Sequence, residues 1–364
     1  MGPPLQASGG RRAFAPVVSW RVPRAGGIRD PEGAALSTPP LLMPGNVFSP
    51  DRLKQHARQL GFDLCGIAPA AAFAELGFLH EWLARGYAGE MHYLARTAGK
   101  RTNLTAVLPS VRSVVALGTL YNIDRPYSTE VVDPGEAQIA RYARGEDYHA
   151  VIESRMAALL EWMRAEAREP FEARAYVDTG PVQERVVARH AGLGWIGKNA
   201  CLINPVVGSW LFLSEILCSL ELPPDEPGID RCGTCTLCLE ACPTGALVGP
   251  AVLDARRCLS YLTIELKGPL PEPLAAAVGP HVFGCDICQE VCPWNSAPPV
   301  SSDPVWQPRP VFDRPRLAEL DAMSDDALRA ALAGSAMRRT GVAGLRRNLD
   351  AARRPGRGAG DTKG

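Results

Sequence analysis

Of the eleven cysteines in this 364-residue chain, eight fall between residues 232 and 292. Their spacing is the strongest constraint on the fold, because thiolates that must converge on shared inorganic centres dictate the paths of the loops that carry them. The stretch CGTCTLCLEACP, residues 232 to 243, places Cys232, Cys235, Cys238 and Cys242 at C-x-x-C-x-x-C-x-x-x-C-P. A second stretch, FGCDICQEVCPWN, residues 283 to 295, keeps the later part of that spacing in Cys285, Cys288, Cys292 and Pro293. Val282 stands where its first cysteine should be, and Cys258 is the only other cysteine between the two runs.

The complete run has the ligand spacing of bacterial ferredoxins that hold two four-iron, four-sulfur clusters. With Cys258 added there are eight soft thiolates, four for each of two clusters. In such pairs the last cysteine of each run crosses to the other cluster, because a tight loop supplies three thiolates and the proline turns the chain away. The expected ligand sets are therefore Cys232, Cys235, Cys238 and Cys292 for one cluster, and Cys242, Cys258, Cys285 and Cys288 for the other. Zinc sites show two C-x-x-C knuckles with a longer spacer instead, and no secretory segment favours disulfides. The remaining Cys65, Cys201 and Cys218 read as small buried hydrophobes.

Net charge is zero, with 46% hydrophobic and 21% charged residues, which is the composition of a soluble chain long enough for two or three domains. No apolar run approaches the ~20 residues of a membrane helix, and the start has no signal-type apolar core, so a cytoplasmic monomer without a membrane partner is expected. Residues 1 to 48 lack any helical or strand period and read as a disordered extension. From residue 50 the pattern alternates. SPDRLKQHARQLG opens with a Ser-Pro helix start, and FDLCGIA, VRSVVALGTLY, FEARAYVD and GSWLFLSEIL read as strands. Residues 149 to 168 and 181 to 191 read as helices. The expected division is 49–225 for an α/β body, 226–300 for the cysteine-rich module and 301–364 for a basic, helical tail.

Within the body, HAGLGWIGKN matches G-x-G-x-x-G through Gly192, Gly194 and Gly197, and nearly matches a phosphate loop through Lys198. Both readings fail on context. A dinucleotide fingerprint follows a strand and opens a helix, whereas here a helical segment comes first. A phosphate loop needs Ser or Thr where Asn199 stands.

VDTGPVQERVVARHAGLGWIGKN, the complete cysteine run, CLSYLTIELKG and FGCDICQEVCPWN occur in the same order and nearly the same wording in epoxyqueuosine reductases. The chain resembles that family over roughly residues 50 to 300, and more weakly to about 350. The resemblance implies a cobalamin-dependent enzyme that reduces the epoxide of epoxyqueuosine, at the wobble position of a tRNA anticodon, to the alkene of queuosine. It implies an α/β (α+β) cobalamin-binding domain resembling that of reductive dehalogenases, then a ferredoxin-like module with two clusters, then a short helical tail. An external low-potential donor would supply the electrons. The family's proton-donating acid falls on Asp178, whose alternative reading is a helix cap. Donation at neutral pH calls for a raised pKa, which burial against the cofactor would supply. Cobalamin contacts carried over are Arg101, Arg141, Asp178, Ser260, Lys267 and the Cys285–Asp286 corner. Asp147 and His149 begin the D-x-H-x-x-G motif of histidine-ligated cobalamin, but Ile152 replaces its glycine, so base-off binding with no protein axial ligand is expected.

Two other functions share these features. A corrinoid reductive dehalogenase of small organohalides would use the same cofactors, but Arg11 and Arg12 precede no apolar run of the twin-arginine export type. A ferredoxin-type electron carrier would need no body of this size. The tail MRRTGVAGLRRNLDAARRPGRG, residues 337 to 358, sets seven arginines against Asp350 and reads either as a phosphate-binding arm for RNA or as a solvated terminus.

Overall fold

The four apolar segments pair into one antiparallel sheet, in the order Leu64–Pro69, Ser113–Leu120, Leu211–Cys218, Ala173–Val177. A computed structural model describes residues 48–353 of the chain, so nearly all of the expected N-terminal extension, and residues 354–364, lie outside the described residues. Because every pairing in this sheet is antiparallel, the body is α+β rather than a doubly wound parallel fold.

Strand Ser113–Leu120 is buried along its whole length, which requires cover on both faces. Val115 and Leu117 point to one core and Val114 and Ala116 to the other, as the period of two demands. The first core receives helix Tyr148–Glu166, whose Ile152, Met156, Leu159 and Met163 share one face. The second receives helix Glu184–His190 through Val187 and Ala188. At the start of the body Ser49 caps helix Pro50–Gln59 by accepting from the Asp51 amide at 3.2 Å, with Pro50 in the first turn.

The cysteine-rich segment is stitched onto this body. Strand His281–Phe283 pairs in parallel with Gln138–Ile139, and Val282 and Phe283 enter the first core. The C-terminal segment closes the same core with Trp306, Phe312, Leu320, Met337, Leu345 and Leu349.

The arginine-rich end is a brace in this fold. Arg347 donates to the carbonyls of Leu262, Leu266 and Gly268, and buried Asn348 donates to those of Thr263 (2.7 Å) and Val282 (2.8 Å). Arg339 grips Glu265 with two bonds of 3.0 and 2.9 Å. Arg346 bonds Asp325, and Arg353 bonds Asp321 and Asp350. Helix Gly341–Ala352 thereby fastens helix Leu259–Ile264, just after Cys258, and the strand that leads to Cys285. Four arginines offered by the sequence for phosphate binding are engaged within the protein, because their donors meet carbonyls and carboxylates the fold brings close. Arg354 and Arg357 lie outside the described residues.

Truncation from residue 337 would therefore open the core. Leu345 is fully buried, so Leu345→Ala is expected to cost about 2–5 kcal/mol in chemical denaturation. Arg338→Ala, at an exposed position, should stay within about 0.5 kcal/mol of the parent.

Candidate active site and cluster seats

Asp178 follows the last residue of strand Ala173–Val177 and adopts a left-handed backbone, φ 55°. Aspartate tolerates this region better than most residues, and such conformations persist where surroundings over-determine them. Here the Asp178 amide donates to Glu184 Oε1 at 2.6 Å. Its Oδ2 accepts from the Tyr148 hydroxyl at 2.8 Å and meets His149 Nε2 at 3.3 Å. Asp178 caps no helix: the next one, Glu184–His190, begins after Gln183 without a side-chain cap.

Each partner is itself held. Tyr148 stacks on Phe212 at 4.5 Å, and His149 Nδ1 meets Asp147 Oδ1 at 2.8 Å. Asp147 caps helix Tyr148–Glu166, so the first turn of that helix presents both contacts to Asp178. Both ring nitrogens of His149 are engaged, and Ile152, which interrupts the cobalamin motif, is a fully buried core residue.

Charge at this site differs from expectation. Burial disfavours the Asp178 carboxylate, but the hydrogen bonds from His149 and Tyr148, the charge on His149 and the Arg339 cation outweigh it and hold the pKa below the usual aspartate value. Asp178 is crowded by protein on one side, yet 59% of its side chain is accessible. On His149 burial acts downward, but Asp178 and Asp147 prevail and raise its pKa. The proton of this pair therefore rests on the histidine. The raised carboxyls lie behind it: burial and then the Asp178 charge push Glu184 up to about 8. Glu215, 1% exposed on strand Leu211–Cys218, is raised further by burial and by Glu184. Neither Glu215 oxygen has a well-formed hydrogen bond.

The other expected residues fall into two groups. Arg101 lies in the electrostatic field of Glu184 and Glu215 and donates to Thr97 Oγ1 and the Val182 carbonyl, both at 3.0 Å. Lys267 Nζ reaches the Arg339 carbonyl at 3.2 Å, and Arg339 acts on Asp178, so Arg101, Asp178 and Lys267 share one side of the site. On the other side the Arg141 amide donates to Asp286 Oδ2 at 2.6 Å. Burial and Glu290 push Asp286 up to about 6. Arg141 is neither a surface charge nor free to reach outward. Its guanidinium donates to the carbonyls of Ile123, Arg125 and Pro126 and lies over the rings of Tyr127 and Trp210. Tyr142 feels both Asp178 and Asp286 and so stands between the groups. The Ser260 hydroxyl bonds the Cys258 thiol.

The cysteines gather in two sets. Cys292 lies in the field of Cys232, Cys238 and Cys235 and, chiefly by burial, is pushed up to about 11. Cys285, Cys288, Cys258 and Cys242 interact in the same way among themselves. Among the described residues no three such side chains close on a single metal ion. Cys218 is fully buried as expected, whereas Cys201 bonds Cys288 and stands beside the second set. The glycines of HAGLGWIGKN serve packing: Gly192 has φ 76° after the helix end, and a Cβ on Gly194 would sit 2.1 Å from the Ile203 carbonyl oxygen.

Sequence reasoning missed Tyr148, Glu184 and Glu215 as partners of the acid, and it treated His149 only as a failed metal ligand. The available signals were a glutamate inside an apolar strand and the DYH triplet at a helix start.

An α+β body that carries an acid–base cluster around an accessible carboxylate, together with two sets of four thiols, has the features of an iron–sulfur redox enzyme. Family models agree: residues 231–295 match a 4Fe-4S double cluster binding domain, and residues 101–179 match the model described as Epoxyqueuosine reductase QueG, DUF1730. The chain is 46% identical over 311 residues to an epoxyqueuosine reductase of Gloeobacter violaceus, covering 83% of this chain and 94% of that one. It is 40% identical over 313 residues to that of Xanthomonas campestris, covering 85% and 87%. A solved epoxyqueuosine reductase with an epoxyqueuosine-modified tRNA-Tyr stem loop aligns with TM-score 0.75 at 32% identity, over 83% of this chain and 80% of that chain. The chain belongs to the epoxyqueuosine reductase family.

The pair at Asp178 has a pH signature. A lowered aspartate contributes stability above its unfolded pKa and loses it as pH falls through the folded value. A raised histidine contributes fully below its unfolded value near 6.5 and loses it as pH rises through the folded one. The pair is thus worth most between the carboxylate range and about pH 6.5. Asp178→Asn should lower the His149 pKa in an NMR titration; an unchanged value would show that Asp147 alone holds it.

Proposed function

We propose that this protein reduces the epoxide of epoxyqueuosine in a tRNA anticodon to the alkene of queuosine, with cobalamin bound base-off and two four-iron clusters. The observation that carries this reading is the convergence of His149 and Tyr148 on the accessible Asp178 carboxylate, whose backbone amide Glu184 holds, together with two separate sets of four thiols. The residues fit the implied groups. Cys232, Cys235, Cys238 and Cys292 would hold one cluster, and Cys242, Cys258, Cys285 and Cys288 the other. Arg101, Lys267, Ser260 and the Cys285–Asp286 corner would border the cobalamin, and the engaged nitrogens of His149 leave it no axial imidazole there. No helix among the described residues is long and apolar enough to cross a membrane.

The reaction consumes two electrons and two protons and releases water. Bound cobalamin would supply the two electrons that open the epoxide, and the clusters would take them one at a time from an external low-potential donor. The protein's own part is the proton. As the C–O bond opens, negative charge grows on oxygen; His149, which holds the proton of the pair, passes it to Asp178 Oδ2, and Asp178 delivers that proton to the oxygen. The left-handed turn and the Glu184 contact keep the Asp178 carboxyl aimed, and Glu184, neutral at pH 7, is a second proton-bearing group beside it. The half-exposed His149 exchanges with solvent and recharges the site.

Two outcomes test this. Asp178→Asn should retain clusters, cobalamin and tRNA yet form queuosine ~100 to 10,000-fold more slowly, the span of general acid catalysis, in single-turnover nucleoside mass spectrometry. Near-normal formation would remove Asp178 from the reaction. Anaerobically reconstituted protein should hold about eight irons, and Cys258→Ser should damage one cluster and spare the other; unchanged iron content would break the ligand assignment.

A further inference from the structure

The loop that imitates a nucleotide fingerprint lies against both sets of thiols. Trp195 Nε1 donates to Cys232 Sγ at 3.4 Å. Its ring, 1% exposed, packs edge-on against Trp294 at 5.0 Å, just after Cys292 and Pro293. Lys198 Nζ donates to the carbonyls of Gly233 at 2.7 Å and Cys235 at 2.9 Å, inside the first cysteine run. Among the described residues no carboxylate pairs with Lys198. Asn199, buried, donates to the Cys288 carbonyl at 3.1 Å and accepts from the Cys201 amide at 3.1 Å. One short turn of the body thus touches Cys232, Cys235 and Cys288.

We infer that Trp195 and Lys198 tune the redox potential of the cluster seated on Cys232, Cys235, Cys238 and Cys292, raising it. Asn199 fixes that seat relative to the second one. The inference rests on the cluster ligation proposed above. Taking up one electron makes the cluster one unit more negative, and the donor is oxidised by one electron. An N–H dipole aimed at a ligand sulfur and an unpaired cation both favour the more negative form, more strongly inside protein than in water. Hydrogen bonds to the sulfurs and net charge are established determinants of such potentials. Trp195 and Lys198 are positioning residues: neither touches substrate, and both act through the cluster.

The test is a redox titration of reconstituted full-length protein followed by electron paramagnetic resonance, with dithionite as the reductant. Trp195→Phe keeps the ring packing and removes the N–H. Lys198→Met keeps the stem and removes the charge. Each should make reduction of the first cluster about tenfold less favourable, 59 mV more negative for a one-electron couple, with iron content unchanged and the second cluster within a fraction of that shift. If Lys198→Met loses iron, Trp195→Phe decides. Unchanged potentials, or equal shifts of both clusters, would overturn the tuning role. The ligand set is checked separately by Cys235→Ser: retention of both cluster signals there would overturn the seat, whatever the tuning variants do.

Discussion

Two of the three attachments of Asp178, those to Tyr148 and Glu184, trace to a single strand. Leu211–Cys218 is central in the sheet, and alternation along it sends Phe212 into one core and Glu215 into the other. Phe212 stacks on Tyr148, which donates to the Asp178 carboxylate. Glu215 backs Glu184, which accepts the Asp178 amide. A residue in a left-handed conformation needs such double restraint, since neither contact alone sets both the backbone turn and the direction of the side chain.

The same body organises the thiols. Thiols drawn from positions as far apart as Cys232 and Cys292 need a common support: turn 195–201 touches Cys232 and Cys288, and helix Gly341–Ala352 braces the segments next to Cys258 and Cys285. Arginine suits the second task because its planar fork satisfies several carbonyls at once, as Arg347 does over helix Leu259–Ile264. Buried Asn348 completes the contact with two further carbonyls.

Charge at the acid is divided rather than concentrated. A lone buried aspartate would be raised and neutral. Here a histidine and a tyrosine keep Asp178 ionised, and the neutral state is carried by Glu184 and Glu215, where burial outweighs the fields of Arg101 and Arg185. Proton storage at the site is thereby spread over residues of different accessibility, with His149 in contact with solvent and Glu215 sealed from it.

The cysteine spacing by itself pointed to a 4Fe-4S double cluster binding segment, because three cysteines in one tight loop are a local property of the chain. Four strands and the long helix were legible for the same reason: apolar periodicity of two or 3.6 is written in neighbouring residues. The family motifs pointed to Asp178 without showing its environment. Only the tertiary structure decided that its pKa is lowered, since the partners Tyr148 and His149 lie about thirty positions away. It also decided that Arg141 is buried, that four arginines of the tail brace the fold, and that the glycine-rich turn serves thiols rather than phosphates. Those outcomes depend on which distant carbonyls, carboxylates and sulfurs meet each donor, and a sequence pattern carries no record of that meeting.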